Sequence, residues 1–235
     1  MPILCFLLIF LGLLLGLYLL ALTAGALTAL PEKKYSAPSA FHRWLLLSAT
    51  AAAMKLLRIR IRISGREKLP EEPVLFVGNH ISNYDPIVTW HAFRERKIGF
   101  VSKPSNFKIP FFGRIIRRCC FLPIDRENPR NAIVTINEAA KLLSSGETDM
   151  AIYPEGTRSR TGQLLPFHNG VFKIAKKAGA PVAVVRVSGT DQIHKNWYRC
   201  STEVTLEILE VIPKENVAAA DTGTLGAAVA QLLKN

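Results

Sequence analysis

Short apolar runs alternate with helical patterns along this chain, and that alternation limits the folds open to it. Ile59, Ile61 and Ile63 alternate with arginines, which predicts a strand with one apolar face. Further candidate strands lie at residues 74–77, 98–102, 121–124, 150–153, 182–187 and 204–212. Helical patterns cover residues 130–143, 170–178 and 225–233. We therefore predict an α/β domain with a mixed, largely parallel sheet flanked by helices.

The composition suits one domain with appendages and an anionic partner. Of the 235 residues 49% are apolar, which suffices for a full core, and the formal net charge is +12. Both nucleic acid and an anionic membrane match that charge. The chain carries no nucleic-acid recognition motif and begins with an uncharged segment, so we expect anionic membrane lipids and no nucleic acid.

Residues 1–31 contain no charged side chain, and residues 3–22 are dominated by Leu, Ile and Phe. Twenty such residues form a helix of about 30 Å, which matches the hydrocarbon thickness of a bilayer. A secretory signal peptide is the alternative, with Ala24, Gly25 and Ala26 as a cleavage site. No positive residue precedes the apolar run, as a signal peptide would require. We therefore predict that residues 1–31 form a retained membrane anchor.

From Lys33 to Arg66 every charged residue is positive. Positive flanks stay on the cytoplasmic side and attract anionic headgroups. Residues 32–58 are predicted to form a basic amphipathic helix in the membrane interface, with an ordinary core helix as the alternative. The expected organisation is an anchor at 1–31, this helix at 32–58, and a domain at 59–235 on the cytoplasmic face of the cell membrane.

Two polar motifs each follow a candidate strand. In the first, His80 and Asp85 are separated by four residues; a histidine that a carboxylate orients can take a proton from a hydroxyl. In the second, Glu155-Gly156-Thr157-Arg158 offers backbone amides and a guanidinium to an anion, and the amide of Gly156 or of a neighbour could face an oxyanion. Two simpler interpretations stay open: Asp85 caps a helix that Pro86 begins, and residues 155–158 form a polar turn.

These motifs, with two more, resemble the conserved blocks of a known family. His80-x4-Asp85 and residues 154–158 are similar to the His-x4-Asp and Pro-Glu-Gly-Thr-Arg blocks of the 1-acyl-sn-glycerol-3-phosphate acyltransferases. Residues 121–126 resemble the family's Phe-Ile-Asp-Arg block, and residues 179–184 resemble its last, proline-bearing apolar block. The four matches occur in order between residues 74 and 187. Pro123, His168 and Arg186 depart from the usual pattern.

The resemblance implies a glycerolipid-acyltransferase-like fold and a membrane enzyme that moves a fatty acyl group from a thioester to the sn-2 hydroxyl of 1-acyl-sn-glycerol-3-phosphate. It makes His80 and Asp85 the catalytic pair. It assigns Glu155 and Arg158 to the acyl acceptor, Gly156 and Thr157 to substrate binding, and Arg126 and Lys103 to the acceptor's phosphate.

We expect no cofactor, because the thioester donor, either acyl-CoA or acyl carrier protein, already carries the activation energy. We also expect no metal, since Cys5, Cys119, Cys120 and Cys200 lack metal-ligand spacing. Two alternatives stay open. One is a relative of the same family that acylates glycerol-3-phosphate or another lysophospholipid, and the other is an inactive membrane lipid-binding protein.

Overall fold

A computed structural model describes residues 2–30 and 33–234 and contains one mixed sheet of seven strands. The strands are β1 (Ile59–Ser64), β2 (Leu75–Gly78), β3 (Ile98–Ser102), β4 (Leu122–Pro123), β5 (Asp149–Ile152), β6 (Val182–Ser188) and β7 (Thr202–Ile212). All seven predicted strands are present, with their ends shifted by a few residues. The predicted α/β class with a largely parallel sheet is confirmed.

The strands follow the order β1-β7-β6-β2-β5-β3-β4 across the sheet. Strands β2 to β6 run parallel to one another, so their carboxyl ends meet at one edge. β7 returns antiparallel to β6, and β1 lies parallel to β7 at the margin. The central strand β2 therefore has β5 on one side and β6 on the other.

Nine α-helices occupy the described residues: α1 (Pro2–Thr28), α2 (Ala40–Leu56), α3 (Asp85–Ala92), α4 (Phe112–Arg118), α5 (Pro129–Ser144), α6 (Lys173–Ala178), α7 (Ile193–Asn196), α8 (Lys214–Ala219) and α9 (Thr222–Lys234). They cover both faces of the sheet. One core joins α5, α6, α8 and α9 to Leu75 and Val77 of β2. The other joins α2, α3 and α4 to Phe76 on the opposite face of the same strand.

Helix α1 has the length and apolar composition needed to cross a membrane. Most of its leucines are exposed, while Ala26 and Ala29 near its end are buried against the domain. The Tyr18 hydroxyl lies 3.0 Å from that of Ser48, and the His42 ring lies 2.9 Å from the carbonyl oxygen of Gly25. These contacts attach the end of α1 to α2.

Helix α2 has one face in the core and one face in solvent. Leu45 is fully buried, and Leu46 and Met54 are nearly so. On the other side Phe41 and Trp44 are exposed. The helix therefore combines the two alternatives drawn from its sequence, a core helix and an amphipathic surface helix; its location in a membrane interface stays a prediction, as do the domain boundaries at residues 31 and 58.

Helix α4 was not predicted as a helix, because the run between Arg94 and Arg118 shows basic and aromatic residues without a clear period. In the structure Ile115 and Ile116 are buried, whereas Phe111 and Phe112 just before them stay exposed. A methyl group on Gly113 would lie 2.3 Å from the carbonyl oxygen of Phe107, so α4 packs directly on the preceding chain.

A buried ion pair joins the amino ends of the central strands. The Arg96 guanidinium donates two hydrogen bonds of 2.7 Å to the Asp149 carboxylate and two more to the carbonyls of Pro70 and Glu72. Asp149 also accepts the amide of Val74 at 2.8 Å. The pair thereby fixes the start of β5 beside the chain that enters β2.

Arg96→Ala should lower the free energy of unfolding by about 3–5 kcal/mol, because it leaves the buried Asp149 carboxylate without its cation. The matched control is Lys97→Ala, which removes an exposed pair with Glu147 at 3.5 Å and should cost under about 1 kcal/mol. Urea unfolding of the full chain in mild detergent measures both. Equal losses in the two variants would contradict a structural role for the buried pair.

Candidate active site

The predicted site residues gather at the carboxyl edge of the parallel strands. His80 follows β2, Lys103 follows β3, Arg126 follows β4, and residues 155–158 follow β5. In open α/β sheets this edge is where ligands bind. The topology thus brings to one edge residues that are far apart in sequence.

His80 and Asp85 form a hydrogen-bonded pair, of which only Asp85 is buried. Nδ1 of His80 lies 2.8 Å from Oδ2 of Asp85, and Asp85 is fully buried. Because a carboxylate only accepts, Nδ1 carries the proton and the lone pair of the neutral ring lies on Nε2. The His80 side chain is 17% exposed. No group in the described part of the chain forms a hydrogen bond with Nε2 of His80, so that atom is available to a ligand.

Other donors saturate the Asp85 carboxylate. Oδ2 accepts the amides of Ile81 and Ser82 at 2.7 and 2.8 Å, and Oδ1 accepts the hydroxyl of Thr190. None of these donors belongs to α3, and the start of that helix has no side-chain cap. Pro86 does stand in the first turn of α3, as predicted, but the carboxylate faces the loop that carries His80.

Tyr153 covers one face of the His80 ring, a contact that the sequence analysis missed. The two ring centroids are 4.6 Å apart and the planes differ by 16°. The Tyr153 hydroxyl lies 3.2 Å from that of Thr89. Burial, together with the charge of Asp85, raises the pKa of Tyr153 well above its ordinary value, so it remains a neutral phenol.

Glu155 bonds to the backbone of two loops. Its Oε1 accepts the amide of His80 at 2.6 Å, and its Oε2 accepts the amide of Leu165 at 2.8 Å. Burial raises the pKa of Glu155, and these two hydrogen bonds oppose the shift. The predicted acceptor-binding role stays a prediction, whereas the contacts directly support a role in positioning His80.

Gly156 permits a close approach between the loop of residues 155–158 and the loop that carries Arg126. Its φ is +70°, and a methyl group there would lie 2.8 Å from the His168 ring and 3.5 Å from Cδ of Arg126. Its amide donates to the carbonyl of Tyr153 at 3.1 Å, so it is not free to face an oxyanion. Among the described residues the amides of Thr157 and Arg158 donate to no acceptor, which makes them the remaining candidates.

The three predicted phosphate-binding cations lie in loops at this edge. Lys103, Arg126 and Arg158 are all exposed. Within residues 2–30 and 33–234 none of the three pairs with a carboxylate, so each can bind an anionic ligand. Thr157 is exposed beside Arg158. Arg186 does not join this set, since it donates to the carbonyl of Leu232 and ties β6 to α9.

The cysteines show no features of a nucleophile or of a metal site. Cys119 and Cys120 are buried, and burial raises the pKa of both thiols to about 12, so the reactive thiolate is suppressed. Cys5 and Cys200 are exposed and far apart in sequence. The described residues contain no group of three or more His, Cys, Asp or Glu side chains placed to hold a metal ion.

Comparison with known proteins assigns the chain to a family. The family model described as Acyltransferase matches residues 60–188, which is more than half of the chain. The chain belongs to the acyltransferase family. The match begins in β1, ends with β6, and includes His80, Asp85, Arg126 and the 155–158 loop.

Several similar proteins carry the name 1-acyl-sn-glycerol-3-phosphate acyltransferase. The Haemophilus influenzae protein is 32% identical over 66% of this chain and 64% of its own length. The Escherichia coli protein is 34% identical over 61% of this chain and 57% of its own length. The chain spans less than two thirds of these relatives, and 40% of the one from Chlamydomonas reinhardtii.

A solved structure has the same fold. The crystal structure of the 1-acyl-sn-glycerophosphate acyltransferase PlsC from Thermotoga maritima superposes with a TM-score of 0.66 at 25% identity. It covers 83% of this chain, and this chain covers 78% of it. The predicted family resemblance and the glycerolipid-acyltransferase-like fold are therefore confirmed.

Glu155→Gln should lower the free energy of unfolding by about 1–3 kcal/mol, because the new amide NH₂ would face a backbone N–H that now donates to an oxygen. Turnover should fall with it, since the His80 backbone loses a support, while the KM of the acceptor should change less than twofold. Thermal unfolding and steady-state kinetics measure the two effects. A raised acceptor KM with unchanged turnover and stability would instead assign Glu155 to acceptor binding.

Proposed function

We propose that this protein is a membrane-bound O-acyltransferase that transfers a fatty acyl group from an acyl thioester to the sn-2 hydroxyl of 1-acyl-sn-glycerol-3-phosphate, giving phosphatidic acid. One observation carries the proposal: Nδ1 of His80 donates to the buried Asp85 at 2.8 Å, which leaves Nε2 open beside loops that carry unpaired cations. The shared name of the relatives supports the choice of acceptor.

In this proposal His80 acts as general base. Its Nε2 takes the proton of the acceptor hydroxyl while the oxygen attacks the thioester carbonyl. The C–O bond forms, the C–S bond of the tetrahedral intermediate breaks, and the imidazolium returns the proton to the departing thiolate. Asp85 holds the reactive tautomer and stabilises the imidazolium. The acceptor's own hydroxyl attacks, so the reaction requires no nucleophile from the protein.

The three exposed cations are suited to the phosphate of the acceptor. Arg126 and Arg158 each offer a planar fork that matches phosphate oxygens, and Lys103 adds a point charge. Gly156 brings the loops of Arg126 and Arg158 within contact of each other. The donor in this proposal is acyl-CoA or an acyl carrier protein, with no metal or prosthetic group.

His80→Ala should lower turnover about 10²–10⁴-fold, the usual contribution of a general base. The matched control is His194→Ala, which removes an exposed histidine of α7 and should keep wild-type turnover. The assay supplies 1-acyl-sn-glycerol-3-phosphate with acyl-CoA or acyl carrier protein as donor, and product analysis locates the new ester at sn-2.

Parallel reactions offer glycerol-3-phosphate, a lysophospholipid with a larger headgroup, and a monoacylglycerol without phosphate. Preference for either of the first two would replace the proposed acceptor and keep the mechanism. Equal use of the monoacylglycerol would remove the phosphate role from Arg126, Arg158 and Lys103. Lipid binding without acyl transfer to any acceptor would show an inactive binding protein.

We further propose that the membrane surface is formed by α1, the outer face of α2, and the turn before α4, with anionic lipids as partners and the domain on the cytoplasmic face of the cell membrane. These elements are in contact, since α1 packs on both α2 and α4. Trp44, Phe111 and Phe112 are exposed there. Lys108, Arg114 and Arg117 supply positive charge beside them, as headgroup binding requires.

Full-length protein should float with anionic vesicles even at high salt, because an inserted helix does not depend on charge. When the vesicles carry brominated acyl chains, tryptophan fluorescence should be partly quenched, and Trp44→Phe should remove more of the quenched fraction than Trp197→Phe. The two residues are matched in exposure, at 52% and 50%. An unchanged quenched fraction in Trp44→Phe would place α2 outside the bilayer, and release by salt would show that α1 does not anchor the chain.

A further inference from the structure

Thr190 is a fully buried polar residue two positions after the end of β6. It begins a short 3₁₀ turn, Thr190–Gln192, and follows Gly189, whose φ is +84°. A methyl group on Gly189 would lie 2.5 Å from the carbonyl oxygen of Glu203 in β7. The turn is therefore pressed against β7, and the position of Thr190 is set by the sheet.

We propose that Thr190 is a positioning residue for the catalytic pair, a role that rests on the proposed action of His80 as base. Its hydroxyl donates to Oδ1 of Asp85, while Nδ1 of His80 and two backbone amides donate to Oδ2. Both carboxylate oxygens are thus held, each from a different side. The Thr190 hydroxyl thereby opposes rotation of the carboxylate away from the ring.

The same segment also fixes the other end of the loop that carries the pair. The Asn79 side chain donates to the carbonyl of Val187 at 2.9 Å and accepts the amide of Val187 at 2.8 Å. Asn79 directly precedes His80, and Asp85 ends the loop. Val187 and Thr190 therefore hold residues 79 and 85, so that the end of β6 acts as a brace for the whole segment.

The Thr190 hydroxyl also moderates the charge that His80 experiences. A donor to Oδ1 disperses part of the carboxylate's charge, and without it more of that charge would act on the imidazolium. The other titratable groups that face His80 are Tyr153, stacked on the ring, and Glu155, bonded to the His80 amide. Neither side chain hydrogen-bonds to Thr190, so a shift in the titration of His80 would report on Asp85.

Thr190→Val keeps the shape of the side chain and removes the donor. We expect turnover to fall about 10- to 100-fold, part of the 10²–10⁴-fold contribution of a general base, with the KM of both substrates within twofold. The acid limb of the rate profile should move to higher pH. Thr190→Ser, which restores the hydroxyl, should recover turnover to within about threefold of wild type.

The matched control is Thr148→Val. Thr148 is also fully buried, and its hydroxyl has no hydrogen-bond partner in the part of the chain that the structure describes. It lies just before β5, at the opposite edge of the sheet from His80. This variant should keep both the turnover and the pH profile of wild type, which separates the loss of a buried hydroxyl from the loss of this one.

NMR titration of the His80 ring in the full chain tests the geometry without using the reaction. The pKa of His80 should be higher in Thr190→Val than in wild type and unchanged in Thr148→Val. An unshifted His80 in Thr190→Val would overturn the inference, as would equal losses of turnover in Thr190→Val and Thr190→Ser. If the pKa of His80 rises as expected while His80→Ala retains activity, the proposed mechanism is wrong but Thr190 still positions Asp85.

Discussion

Strand β2 pairs in parallel with β5 along one side and with β6 along the other, and the site is built on that arrangement. The loops after these three strands leave the sheet at the same edge, and each carries a different part of the chemistry. The loop after β2 supplies His80 and Asp85, the loop after β5 supplies Glu155 and Arg158, and the turn after β6 supplies Thr190. Backbone pairing deep in the core thus determines which side chains meet at the surface.

The two buried carboxylates of the site have different partners. Asp85 accepts from the imidazole and a hydroxyl as well as from amides, and it lies where it can respond to a proton on His80. Glu155 accepts only from backbone amides, and it joins the His80 loop to the loop that ends near Leu165. One carboxylate is therefore placed for chemistry, and the other holds the loops together.

The sequence predicted the strands well because each is a short apolar run between polar turns, as in residues 182–187. It also predicted the pairing of His80 with Asp85, since both lie in one loop. It missed the ring of Tyr153, the hydroxyl of Thr190, and the hydrogen bond between Glu155 and the His80 amide. Those contacts join segments 64 to 105 residues apart, and they become visible only when the order of the strands is known.

Helices whose apolar stripe was short or interrupted were also missed. Helix α4 buries only Ile115 and Ile116 beside Gly113, so its seven residues show too little period to stand out from the charges around them. Helix α5 has 16 residues with five buried apolar positions on one side, and this longer pattern made it predictable. Length of the stripe, more than composition, decided which helices could be predicted.

Tyr153 has a consequence for the direction in which His80 can accept a proton. An imidazole nitrogen accepts a proton in the plane of its ring, and the phenol ring closes one face of that plane at 4.6 Å. Stacking on Tyr153 and the hydrogen bond from Nδ1 to Asp85 together hold the ring in one orientation, and the direction in which Nε2 can accept a proton is fixed with it.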